Sequence, residues 1–207
     1  MSEQTPRAGR RWYRSDWFVI PCMLLMLLAA RSSLADHYHV PSGSMEYTIM
    51  TGDRVLIDKT AYGINIPFTH VEIVARGVPA RGDVSVFDSP ADGTRLIKRI
   101  VAVAGDTVSL RNGLLSVNGE RLTADAAATR RVVEIFGEHR AELNLDSGGG
   151  PGVDSLIIPR GKVLALGDHR GNSLDSRYFG LVDVEQVYGR ALGIYYRRGA
   201  GLTWRRL

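Results

Sequence analysis

The chain has a single cysteine, Cys22, among its 207 residues, so no disulfide can close within it. No Cys/His cluster carries zinc-ligand spacing, and packing alone must hold the fold. Lysine is almost as scarce. Lys59, Lys98 and Lys162 stand against 23 arginines. Arginine is effectively never deprotonated, so only these three side chains can supply a neutral amine. Self-similarity at periods of roughly 20 to 50 residues is missing, which excludes solenoid and propeller arrays. With 23 Gly and 8 Pro, collagen-like and low-complexity readings fail too. A chain that is 44% hydrophobic and 23% charged is too apolar for disorder and suffices for one or two small packed domains.

Long apolar runs are also lacking, with one exception: WFVIPCMLLMLLAA from Trp17 to Ala30, led by Arg7, Arg10, Arg11 and Arg14. As a helix this run reaches about 21 Å, short of the roughly 30 Å hydrocarbon core. Extension to Ala35 gives enough length and includes Arg31, which can snorkel. An all-round apolar run behind an arginine cluster fits poorly as a buried soluble helix. It reads as one N-terminal transmembrane helix, a retained signal anchor over residues 17–35 behind a basic cytoplasmic segment, 1–16. Cleavage after Ser33-Leu34-Ala35 as a signal peptide is the alternative. In either case residues from 36 onward lie outside the membrane. The net charge of +4 then points to the lipid bilayer and not to nucleic acid.

From Asp53 the pattern is β. VLID, DVSVFD, LIKRIVAV, DTVSLRNGLLSVNG, RVVEIF, SLIIP, KVLAL and YGRALGIYY are short runs rich in β-branched or aromatic residues, most bounded by turn formers. Asn112-Gly113 between two alternating runs predicts a hairpin. The expected fold is mainly β, an antiparallel domain over 36–207 with a small inserted β region at about 123–160. Asp146 to Gly152 (DSGGGPG) reads as a flexible loop.

Three constellations could carry chemistry. VPSGSMEYTIMTGD sets Ser42 and Ser44 around Gly43, where a hydroxyl and nearby N–H groups can be presented together; a solvated linker is the other reading. RLIKRIVAVAGD carries Lys98 and Arg99 side by side on an apolar strand. Period 2 sends them to opposite faces, so one charge must enter apolar surroundings or sit at a sheet rim. A lysine acting as a base near pH 7 needs its pKa lowered by roughly three units, about 4 kcal/mol, which burial can supply. A snorkelling edge-strand lysine is the plainer alternative. LGDHRGNSLDSRYFGLV packs Asp168, His169, Arg170, Asn172, Ser173, Asp175, Ser176 and Arg177 into ten positions, more hydrogen-bonding capacity than a turn requires. Its acids do not follow EF-hand spacing, and neither upstream serine sits in Gly-x-Ser-x-Gly, which disfavours a Ser-His-Asp triad through His169.

In order and spacing these segments resemble bacterial type I signal peptidase, the membrane-bound Ser-Lys protease family that removes signal peptides. PSGSM (Pro41–Met45), GDRVLIDKTAYG (Gly52–Gly63), RGDVSVFDSP with LIKRIVAVAGDTV, and GDHRGNSLDSRYFG look like its four boxes. The resemblance implies Ser44 as nucleophile and Lys98 as general base, in a scheme needing no metal or cofactor. It implies Ser173 bonded to the lysine amine, Asp175 and Arg177 supporting the loop as an ion pair, and an oxyanion hole of the Ser44 N–H with the Ser42 hydroxyl. Pockets for small residues at −1 and −3 would lie near Tyr38, Val40, Met45, Ile49 and Ile97. The implied partners are presecretory proteins, the lipid bilayer and the secretion machinery, and the implied location is the bacterial inner membrane, with the catalytic domain outside.

The chain departs from the family pattern in three places. Met45-Glu46-Tyr47-Thr48-Ile49 stands where Met-x-Pro-Thr-Leu is usual, and His169 and Gly171 stand where Asn and Asp are usual. These bear on the substrate set and the pH optimum, since a histidine can titrate near neutrality. They leave open a dedicated maturation peptidase for one secretion or conjugation substrate. A non-enzymatic secreted β-domain, cleaved after Ala35, is the third reading.

Overall fold

A computed structural model describes residues 17–24, 35–65, 72–75, 77–124 and 132–207. Residues 17–24 are helical and exposed. The rest of the expected anchor and the basic segment 1–16 lie outside the described residues. Among the described residues no helix is long and apolar enough to cross a membrane.

In chain order the strands are β1 (Ala35–His39), β2 (Arg54–Asp58), β3 (Gly63–Asn65), β4 (Glu72–Ala75), β5 (Val84–Asp88) and β6 (Arg95–Ala102). They continue with β7 (Thr107–Arg111), β8 (Leu114–Val117), β9 (Glu120–Arg121), β10 (Thr123–Ala124), β11 (Val132–Phe136) and β12 (His139–Leu143). The last are β13 (Val153–Ile157), β14 (Lys162–Leu166), β15 (Val182–Asp183), β16 (Val187–Arg197) and β17 (Gly201–Arg206). An 8-stranded antiparallel sheet runs β1-β2-β16-β5-β6-β14-β15, with β17 on β16. The fold is therefore mainly antiparallel β, as the alternating runs predict. Polar β1 and exposed β17 lie outside those runs, since what orders them is pairing to β2 and β16.

Strand β6 is the wall between cores. Its Ile97 joins the layer with Val40, Val55 and Val86; Ile100 joins Phe87 and Val163; Val101 joins Val108, Leu110 and Leu143. A strand buried on both faces reads as a near-continuous apolar run, so Lys98 and Arg99 are both carried inside. The sequence reading that one of the two must be buried falls short by one.

Asn112 and Gly113 have φ of 52° and 80°, the left-handed values of a two-residue hairpin turn, and join β7 to β8. Within the expected insert, β10, β11 and β12 make their own sheet, whereas β13 pairs with β7. Side chains of this region pack into the same core cluster as β7 and β8. The expectation of a flexible 146–152 loop is overturned. A Cβ added at Gly149 would come under 3.0 Å from the Asn112–Gly113 backbone, and the Gly149 carbonyl accepts from Arg177 at 2.8 Å. Gly149 and Gly150 record close approach of neighbours, not freedom of the chain.

Candidate active site

Ser44 lies in the tight 43–46 turn after β1, closed by the Glu46 N–H on the Gly43 carbonyl, and Lys98 sits near the middle of β6. Both are buried, at 7% and 3% exposure, and Lys98 Nζ donates to Ser44 Oγ at 2.5 Å. Burial lowers the amine from 10.5 to about 8; Asp175 and Asp168 oppose the shift and Arg177 adds to it. A hydroxyl in contact with a desolvated amine that can lose its proton near neutrality is an arrangement for nucleophilic chemistry. Ser42 is exposed, its Oγ 3.4 Å from Ser44 Oγ.

The polar loop after β14 closes over this pair. The His169 N–H donates to the Ser44 carbonyl at 3.1 Å. Asp175 and Arg177 form a fully buried fork at 2.7 Å on each arm. Asp175 also accepts from the Gly167 N–H at 3.0 Å, and Arg177 reaches the Arg170 carbonyl at 2.6 Å. This pair fixes the loop's path past Ser44. A Cβ at Gly167 would lie under 3.0 Å from both Ser173 Oγ and the Ser44 carbonyl, so Gly167 is what lets the two segments meet. Ser173 Oγ is buried and finds no hydrogen-bond partner among the described residues, so the bond to the Lys98 amine expected from the resemblance is not formed here.

Tyr38, Val40, Met45, Ile49 and Ile97 come together in one apolar layer beneath the turn. Met45 and Ile49 are fully closed into it, and the Tyr38 hydroxyl donates to the Arg95 carbonyl at 3.0 Å.

The chain matches the family described as signal peptidase, peptidase S26, over residues 12–196. It belongs to that family. A signal peptidase I of Pseudomonas aeruginosa is 32% identical over 195 residues, covering 84% of this chain and 69% of the relative. One from Bacillus caldolyticus is 28% identical over 190 residues, covering 92% of each. A crystal structure of a signal peptidase I from Enterococcus faecalis shares 33% identity over 54% of this chain and 95% of its own, with a TM-score of 0.39. The chain is thus a serine endopeptidase of the S26 type.

Two networks in this S26 peptidase escape a reading of the sequence. Arg99 donates to both Asp168 oxygens at 2.9 and 2.8 Å and to the Gly82 carbonyl at 2.7 Å, while Thr48 bonds the same carboxylate at 2.5 Å. This second fully buried pair pins the segment after Ser44 to the strand bearing Lys98. Arg170 forks onto Glu134 at 3.0 and 2.6 Å, reaches the Gly113 carbonyl, and donates to the Gly167 carbonyl at 3.2 Å. The one available signal was the density of arginines and acids within buried strands and the polar loop; their partners, far off in sequence, carry none.

The three departures also gather here. Tyr47 donates to Asp146 at 2.7 Å, His169 Nε2 lies 3.3 Å from Ser147 Oγ, and a Cβ at Gly171 would run into the Ser147 carbonyl. Together they seat the 146–150 segment against the nucleophile turn.

Proposed function

We propose that this S26 peptidase removes N-terminal signal peptides from exported proteins after small-x-small sites, with Ser44 as nucleophile and Lys98 as general base. The carrying observation is the 2.5 Å contact between a buried amine lowered to about 8 and a buried hydroxyl. Neutral Lys98 takes the Ser44 proton as Oγ attacks the scissile carbonyl. Charge on the tetrahedral oxygen is met by the Ser44 N–H and the Ser42 hydroxyl, donors of the kind worth several kcal/mol in such sites. The Lys98 ammonium then protonates the departing amine, leaving an acyl-enzyme. Water, deprotonated by the same amine, attacks the ester, and the proton returns to Ser44 as the acid leaves. Asp175 with Arg177 holds the loop that carries the buried, unpartnered Ser173 hydroxyl. The apolar layer of Tyr38, Val40, Met45, Ile49 and Ile97 floors shallow pockets that accept small side chains.

An N-terminal anchor running from Trp17 up to the start of β1 at Ala35 holds the protein in the cytoplasmic membrane, with the β domain on the outer side and the secretion machinery as the source of substrate. Eight residues separate Ala35 from Ser44, a reach under about 32 Å, so the nucleophile stays near the bilayer where a signal peptide is presented. The test is cleavage of a detergent-solubilised precursor carrying an Ala-x-Ala site, with the cut found by mass. Wild type should cut after the −1 alanine and Ser44→Ala should not. Equal cutting by both would overturn the assignment.

A further inference from the structure

His169 stands between the nucleophile turn and the 144–150 segment. Its Nδ1 lies 3.3 Å from the Gly43 carbonyl oxygen and 3.7 Å from a Glu46 carboxylate oxygen, and its Nε2 lies 3.3 Å from Ser147 Oγ. Both neighbours of Nδ1 only accept, so that nitrogen carries the proton, and Nε2 is free to accept from the Ser147 hydroxyl. The ring is thereby fixed as a donor to Gly43. The Gly43 carbonyl belongs to the same peptide group as the Ser44 N–H, and in a planar trans peptide these two point in opposite directions. Holding the carbonyl therefore aims the N–H. The Glu46 N–H donates to the same oxygen at 3.1 Å, so two donors hold the carbonyl end of this peptide plane, and the His169 N–H holds the carbonyl of the next peptide, that of Ser44, at 3.1 Å. A donor on a peptide oxygen also polarises that peptide's N–H.

We propose that His169 is a positioning residue for the oxyanion donor: its Nδ1–H orients and polarises the Gly43–Ser44 peptide so that the Ser44 N–H faces the developing negative charge. This rests on Ser44 being the nucleophile. The imidazole touches neither substrate nor the reacting atoms and acts through the backbone. Ser147 supplies the bond that selects the tautomer, and Gly171 lets Ser147 approach closely enough to do so. The departures at 169 and 171 are parts of one device.

The experiment measures kcat and KM for precursor cleavage by the full-length protein from about pH 6 to 10, comparing wild type with His169→Leu, His169→Asn and Ser44→Ala. Asparagine places an N–H donor where Nδ1 stands, and leucine places none. His169→Leu should lose about tenfold in kcat, less than the loss of a whole oxyanion donor. Its KM should stay within about twofold, and the acidic limb set by protonation of Lys98 should keep its midpoint, since only stabilisation gained in the transition state is removed. His169→Asn should recover to within about threefold of wild type. If the leucine variant does not fold, His169→Gln replaces it, because its amide sits one carbon further out, toward Ser147, and the same loss is expected. Full kcat without a donor at this position overturns the proposal. So does equal damage in the asparagine and donorless variants, or a displaced acidic limb. Failure of wild type to cut, or cutting by Ser44→Ala, overturns the reading of Ser44 itself and is distinguishable from each of these.

Discussion

Replacing Lys98 by methionine should abolish cleavage and make the protein more stable. Burial lowers the Lys98 amine from 10.5 to about 8, so the fold binds that proton less tightly than the unfolded chain does. Below about pH 8 both states are protonated and the fold carries the whole penalty, roughly 3 kcal/mol for a shift of this size. Between about 8 and 10.5 the fold sheds its proton first and stability rises with pH. Above 10.5 the penalty is gone. Methionine matches the lysine stem in length and has nothing to ionise. At pH 7 Lys98→Met should therefore melt roughly 6–12 °C above wild type, given about 2–4 °C per kcal/mol in a domain of this size. The assay is a pair of melting curves at several pH values, with the gap closing as pH rises. The same depression predicts that wild-type kcat/KM climbs with unit slope to a half-maximal value near pH 8. At pH 7 about one amine in ten is then neutral, against roughly one in three thousand at the ordinary value. A variant no more stable than wild type at pH 7, a gap that stays constant with pH, or a rate midpoint near 10.5 would refute the reasoning.

Asp175→Ala should cost about 3–5 kcal/mol by stranding the buried Arg177 charge, and denaturant unfolding checks this; an unchanged midpoint counts against the ion pair. Gly167→Ala should abolish precursor cleavage while far-ultraviolet circular dichroism stays native, because the new methyl pushes Ser173 and the Ser44 carbonyl apart; a fully active variant would show that their close approach is dispensable. Tyr47→Phe removes one partly exposed hydrogen bond to Asp146 and should lower stability by about 1 kcal/mol or less, read from the same unfolding curves.

What could be read from the sequence was what local chemistry decides. The Asn112-Gly113 turn follows from two residues that accept positive φ, and the strands from alternation against turn formers. Ser44, Lys98 and the Asp175–Arg177 loop were legible through the order of four short segments. Thr48 and Asp168 were not, because their bond joins positions 120 apart and the residue types alone do not name a partner. Asp146 to Gly152 misled for a physical reason: glycine marks both a loose chain and a crowded one, and only the neighbours at Asn112 and Gly113 tell which. The orphaned Ser173 hydroxyl was equally out of reach, since a sequence lists donors and not the distances between them.

The Glu134–Arg170 fork has a consequence for how the molecule opens. Glu134 lies on β11 and also accepts the Leu115 N–H of β8 at 3.1 Å, while Arg170 reaches back to the Gly167 carbonyl beside Ser44. Parting the β10–β12 sheet from the rest would expose one carboxylate and one guanidinium and release two segments of backbone in a single event. Local opening there should be rare, and the amide of Leu115 should exchange its hydrogen only when the whole domain unfolds. An enzyme joined in this way has no cheap partial melt next to its nucleophile.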